Sequence, residues 1–178
     1  VSSGVATSFA LTSVTLYEVT PGCVAADDKA FDGWQKVATD LDVWREHNGS
    51  NTKDGSFYAL KATTAGVNKT LLWPAAISGD DTHLQRFAGR TVTFGIWGKT
   101  ATASHLRLRV YESGSSDTYS SYHTGGDAYE WLEVTHTFGS SPTYAQFIIY
   151  YDVSGATAYA SQPMLVFGSA IGSGNYSR

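Results

Sequence analysis

A chain of 178 residues is long enough for one domain with a sizeable core. Its net charge of −4 comes from 12 basic and 16 acidic residues, and the basic ones are scattered, which excludes the clustered Lys and Arg that nucleic-acid binding requires. No apolar run approaches the roughly 20 residues a membrane-spanning helix needs, and the single Cys23 excludes a disulfide framework or a thiolate zinc cage within one chain.

The first segment, Val1 to Leu11, has no basic residue and does not resemble a signal peptide. The absence of an initiator Met points to a piece of a longer chain. Phe9 to Val19 is apolar and alternating, as a strand should be. Phe9 to Gly22 also reads like Tyr159 to Gly172, an apolar strand with a polar, Gly-containing exit. Residues 1–22 are therefore expected to be an arm or the end of a preceding similar module, and residues 23–178 the domain proper. The alternative is that Phe9 to Val19 is simply the first strand of this domain.

Asp40 to His47 is ambiguous between helix and strand. Turn clusters follow at Asn48 to Asn51 and Lys53 to Gly55. Asp80 to Phe87 predicts about one helical turn capped by Asp80 or Asp81. Thr91 to Lys99, Leu106 to Tyr111 and Leu132 to Phe138 alternate with period two, and Tyr144 to Tyr151 is a nearly continuous apolar strand. Ala156 to Phe167 is another, interrupted at Pro163, which predicts an edge or a bulge there. Many short strands with regular turns and no long helix predict an all-β sandwich or barrel.

Phe31 to Gly168 resembles the jelly-roll modules related to the family 4 and family 9 carbohydrate-binding modules, which recur in bacteriophage tail-fibre and tailspike proteins. The matching phrases are Phe31-Asp-Gly-Trp34, Lys53 to Lys61 (KDGSFYALK), Phe87 to Lys99 (FAGRTVTFGIWGK), Ala128 to Phe138 (AYEWLEVTHTF) and Thr157 to Gly168 (TAYASQPMLVFG). The phage versions are also similar in the Tyr119 to Gly126 run, YSSYHTGG. The resemblance implies a jelly-roll β-sandwich of two antiparallel sheets and a non-catalytic binding or structural role. Ser161 stands where the family frequently has Asp, which weakens the transfer of a structural metal site to that strand.

The chemistry agrees with a non-enzyme. The sequence has no Gly-x-Ser-x-Gly elbow and no phosphate loop before a helix. His105 and His136 fall in predicted strands, and His47, His83 and His123 in or near loops, without helical ligand spacing. No cofactor is expected. Asp27-Asp28 and Asp80-Asp81 lie in predicted loops, which leaves a structural calcium open beside simple solvated turns.

Strand parity separates core from outer positions. Val92, Phe94 and Ile96 are expected inward, as are Leu106, Leu108 and Val110, and Ala145, Phe147 and Ile149. Trp97 and Lys99, His105, Arg107, Arg109 and Tyr111, and Gln146, Ile148, Tyr150 and Asp152 then face outward. In the family this sequence resembles, one outer sheet face is a concave groove. Aromatic rings stack on sugar C–H patches, and planar polar groups meet hydroxyls. On that basis Trp97 is the expected stacking platform, with Lys99, Arg107, Arg109, Tyr111, Gln146, Tyr150 and Asp152 as partners. A second candidate is the aromatic loop carrying Tyr119, Tyr122, His123 and Tyr129. Competing readings are packing of Trp97 under a loop, surface ion pairing of the arginines, and a subunit contact. The expected setting is a phage tail fibre or spike contacting a host surface glycan, assembled as a homotrimer on the virion. The alternatives are a module of a secreted glycan-degrading enzyme, hence extracellular, and a purely structural trimerisation domain.

Overall fold

In a computed structural model, which describes residues 34–37, 39–54, 56–78, 84–173 and 175, ten strands form two antiparallel sheets. The front sheet has the order β1 (Gln35–Lys36), β4 (Lys69–Ser78), β9 (Tyr144–Tyr151), β6 (Leu106–Glu112), β7 (Thr118–Tyr119). The back sheet has the order β2 (Leu41–Glu46), β3 (Ala59–Thr64), β10 (Thr157–Phe167), β5 (Thr91–Thr100), β8 (Tyr129–Thr137). The β-sandwich expected from period-two strands is the observed fold. Phe9 to Val19, the division at residue 22, and Asp27, Asp28, Asp80 and Asp81 lie outside the described residues.

Parity explains the core. Val92, Phe94 and Ile96 of β5, Leu106, Leu108 and Val110 of β6, and Ala145, Phe147 and Ile149 of β9 are all fully buried. Phe94 of the back sheet meets Phe147 of the front sheet at 5.8 Å between ring centroids, and Phe87 packs 5.2 Å from Phe138 and 5.6 Å from Phe147. The ambiguous Asp40 to His47 stretch contains strand β2, because Leu41 and Val43 are buried at alternate positions. Of Asp80 to Phe87, the described part holds one 3-10 turn, Leu84–Arg86, and a second such turn spans Gly49–Asn51. Pro163 sits in a bulge: the register of β10 against β5 shifts between Ser161 and Met164, with Gln162 at φ 53°. The strand is nonetheless central, so the missing proline N–H is absorbed by the bulge and not by an edge.

One polar contact ties the two sheets together in the interior. Glu112 of the front sheet and His136 of the back sheet are both buried, with His136 Nε2 donating to Glu112 Oε2 at 3.0 Å. Thr118 Oγ1 lies 2.9 Å from His136 Nδ1, and the Gly139 amide donates to Glu112 Oε1 at 3.1 Å. With this many bonds the buried carboxylate is compensated, as burial of a charge requires.

Candidate functional site

A sandwich has two outer faces, and parity alone does not say which strands share one. Strand β5 lies in the back sheet, whereas β6 and β9 are neighbours in the front sheet. Trp97 and Lys99 therefore lie on the opposite side of the sandwich from Arg107, Arg109, Tyr111, Gln146, Tyr150 and Asp152. The single face expected from sequence is corrected to two. Tyr129 belongs to the back face as well, paired across from Lys99.

Around Trp97 and Lys99 the back face is met by other segments of the chain, while Trp44, Lys61 and Tyr159 on the same face are half-buried. Lys53 Nζ stands 4.6 Å over the Trp97 ring, and Trp131 meets that ring edge-on at 5.6 Å. Lys99 is buried: its Nζ donates to Ser50 O at 2.8 Å and Asn51 Oδ1 at 3.1 Å, with the Asp127 carboxylate at 3.6 Å. Tyr129 donates to Asn51 O at 2.7 Å, and burial pushes its phenol up to about 12. Gln162 donates to Asp54 O at 2.9 Å, which fastens the same loop from below. On the other flank Glu133 Oε2 accepts from Trp131 Nε1 at 2.8 Å, Gly172 N at 2.9 Å and Ile171 N at 3.3 Å, so the C-terminal segment is strapped down. Gly95 has no room for a side chain: a Cβ there would lie 2.4 Å from Trp131 Cζ2. Trp97 is thus half-buried, with Lys53 over its ring and Trp131 at its edge.

Two histidines also depart from expectation. His123 of the aromatic loop is buried, with Nδ1 accepting from Gly125 N at 2.9 Å and Nε2 donating to Ala128 O at 3.0 Å. It shapes the loop from inside and presents nothing to solvent. His105 was expected outward but is fully buried, because it precedes β6 and folds under the turn after β9.

The front face is different. Register places Arg107 opposite Tyr150, Tyr111 opposite Gln146, and Arg109 between Ile148 and Tyr119. The Arg107 guanidinium lies 4.0 Å over Tyr119, 4.4 Å over Tyr122 and 5.0 Å over Tyr150, and it pairs with Asp152 at 3.2 Å. Arg109 pairs with Asp117 at 2.9 Å and lies 5.2 Å over Tyr111. Tyr122 donates its hydroxyl to Asp152; burial, followed by that bond, pushes its phenol up to about 12. Tyr119 reaches Asp117 at 3.3 Å and stands edge-on to Tyr150 at 6.0 Å. Gln146 donates to Tyr144 OH at 2.8 Å, and Tyr144 stands edge-on to Tyr111 at 5.8 Å. Leu72 and Ile148 are buried in the same row as Arg109 and form an apolar floor.

The front face therefore brings together Arg107, Arg109, Tyr111, Gln146, Tyr150, Asp152, Tyr119 and Tyr122. Sequence reasoning missed Tyr144 and Asp117. Tyr144 shares parity with Gln146 and was readable; Asp117 reaches the face only through the β6–β7 pairing. The arrangement is a stiff aromatic and hydrogen-bonding surface whose two guanidinium charges are matched by two carboxylates. Among the described residues no group of three or more His, Cys, Asp or Glu could hold a metal ion.

No family model matches the chain, and no curated protein matches it. Solved structures do. The xylan-binding domain CBM22-1 from Paenibacillus barcinonensis Xyn10C aligns with a TM-score of 0.57 at 11% identity, over 81% of this chain and 91% of that one. TmCBM61, solved in complex with β-1,4-galactotriose, aligns with a TM-score of 0.51 at 12% identity, over 79% and 92%. The enzymatically active domain structure of bacteriophage CBA120 tailspike protein 4 aligns with a TM-score of 0.54 at 10% identity, over 83% of this chain but only 21% of that one. The fold is that of a carbohydrate-binding-module-like jelly roll.

Proposed function

We propose that the chain is a non-catalytic glycan-binding module and that the outer face of the front sheet is its binding surface. The observation that carries this reading is the Arg107 cluster: one guanidinium held flat among Tyr119, Tyr122 and Tyr150 and oriented by Asp152. Such a cluster offers ring edges and faces to sugar C–H groups and fixed polar atoms to hydroxyls. On the back face the polar groups around Trp97 are instead engaged by Ser50, Asn51 and Lys53 and by Ile171 and Gly172. The likeness to xylan- and galactotriose-binding domains supports the choice of ligand class.

Two settings fit this module. The likeness to a bacteriophage tailspike region supports a phage tail setting, in which we propose host surface polysaccharide as the ligand and a homotrimer as the assembly. The likeness to the xylanase 10B CBM22-1–GH10 modules of Clostridium thermocellum supports an extracellular accessory module of a glycan-degrading enzyme. Calorimetric titration with xylohexaose, β-1,4-galactotriose and bacterial surface polysaccharides tests the function. Tyr150→Ala should weaken the responsive ligand about tenfold, the effect of losing a ring contact of about 1 kcal/mol. Absence of binding across the panel, or binding untouched by Tyr150→Ala and Arg107→Ala alike, would contradict the assignment.

A further inference from the structure

Behind the front face, residue 105 accepts from the two consecutive backbone amides of Asp152 and Val153. The His105 carbonyl accepts from Asp152 N at 2.9 Å, and the His105 ring Nδ1 accepts from Val153 N at 3.2 Å. On its other side the turn is held by Thr64, whose hydroxyl donates to Val153 O at 2.6 Å. Asp152, between these anchors, is the residue that pairs with Arg107 and receives the Tyr122 hydroxyl.

The imidazole is an expensive way to fill that space. Because Nδ1 accepts, the ring proton resides on Nε2, which is buried and has no partner among the described residues. Tyr151, whose ring centroid lies 5.6 Å from that of His105, has a hydroxyl likewise buried without a partner among the described residues. An orphaned polar atom costs about 1–3 kcal/mol. An apolar residue would avoid that cost but could not accept the Val153 amide.

We propose that His105 is the positioning residue of the front face, its neutral ring and its carbonyl clasping Asp152–Val153 so that the Asp152 carboxylate stays aimed at Arg107 and Tyr122. This rests on the front face being the glycan surface. The groups around the ring are Tyr151 from β9, Asp152 in the turn, Arg107 reached through Asp152, and His123, whose backbone bonds residues 104 and 106. Burial lowers the imidazole to about 4, and the weaker opposing effect of Asp152 does not offset it. The clasp is therefore intact at neutral pH and opens only when acid charges the ring and removes its acceptor.

The test compares wild type, His105→Leu and His105→Asn, since an asparagine carbonyl can occupy the place of Nδ1. Three readouts are used: xylohexaose and β-1,4-galactotriose titration, exchange of the Val153 amide, and ionisation of Tyr122 followed by tyrosine-ring NMR. His105→Leu should weaken the responsive ligand about tenfold, speed Val153 exchange and bring Tyr122 ionisation back toward 10. His105→Asn should restore all three, and should keep binding near pH 4, where wild type is expected to lose it. If neither sugar binds wild type, the functional reading fails for those ligands, while exchange and Tyr122 ionisation still decide the clasp. Unchanged Val153 exchange and Tyr122 ionisation in His105→Leu overturn it. Should His105→Leu not fold, nitrogen NMR of the wild-type ring decides: an Nε2–H tautomer supports the clasp and an Nδ1–H tautomer overturns it.

Discussion

The two outer faces of this sandwich use the same residue types to opposite ends. Each carries aromatic rings with cationic groups over them: Arg107 over Tyr119, Tyr122 and Tyr150 in front, Lys53 over Trp97 and Lys99 near Tyr159 behind. In front the cations are paired with side chains of the face itself, Asp152 and Asp117. Behind, Lys99 and Tyr129 bond to the backbone and side chain of a covering loop, and Glu133 bonds to a covering tail. In front, then, the guanidinium charges are matched by carboxylates beside the face, although Arg107 Nε and Arg109 Nε are buried without a partner among the described residues. Behind, where the polar groups reach out to backbone of another segment, they are a seam of the fold.

The largest effect that can break this comparison is Trp97→Ala. Removing an indole packed between Lys53 and Trp131 should cost about 3 kcal/mol of unfolding free energy while leaving sugar affinity unchanged. Urea unfolding and calorimetry on one preparation measure both; a stable variant with lost affinity would return Trp97 to the binding role.

Acid sharpens the contrast next. His105 titrates near 4 when folded, below its ordinary 6.5, because burial disfavours its charge. The unfolded chain takes up this proton first, so the stability linked to His105 is full above about pH 6.5 and is lost as pH falls to about 4. That loss is on the order of 2 kcal/mol once solvent screening is allowed for. The urea midpoint of wild type should fall over this window, and that of His105→Asn should fall less.

The smallest effect concerns the strap. Burial works to raise the Glu133 carboxyl, but the bonds from Trp131, Gly172 and Ile171 outweigh it and the net shift is downward. Glu133→Gln keeps the size but loses the charge, and should cost about 1 kcal/mol. Limited proteolysis should then cut the C-terminal segment sooner, with affinity unchanged.

Much of the fold was legible. Alternation in β5, β6 and β9 assigned nine core positions, Val92, Phe94, Ile96, Leu106, Leu108, Val110, Ala145, Phe147 and Ile149, because side-chain direction has period two, but it left out the buried Tyr151. Pro163 marked its bulge because it carries no N–H. On the candidate face, parity picked out Arg107, Arg109, Tyr111, Gln146, Tyr150 and Asp152, and the pairing of β6 with β9 brings them together. Trp97 does not share that face, because periodicity says which residues face outward but not which sheet a strand joins. His105 and His123 were misread because their burial depends on turns outside the strands, where no period operates.

Amide chemical-shift mapping with the oligosaccharide that binds tests the central claim most directly. The account predicts perturbations concentrated at Arg107, Arg109, Tyr119, Tyr122 and Tyr150 through Asp152, with Trp97, Lys99, Tyr129 and Trp131 unmoved. Perturbations centred on Trp97 and Trp131, with the Arg107 cluster unmoved, would contradict it.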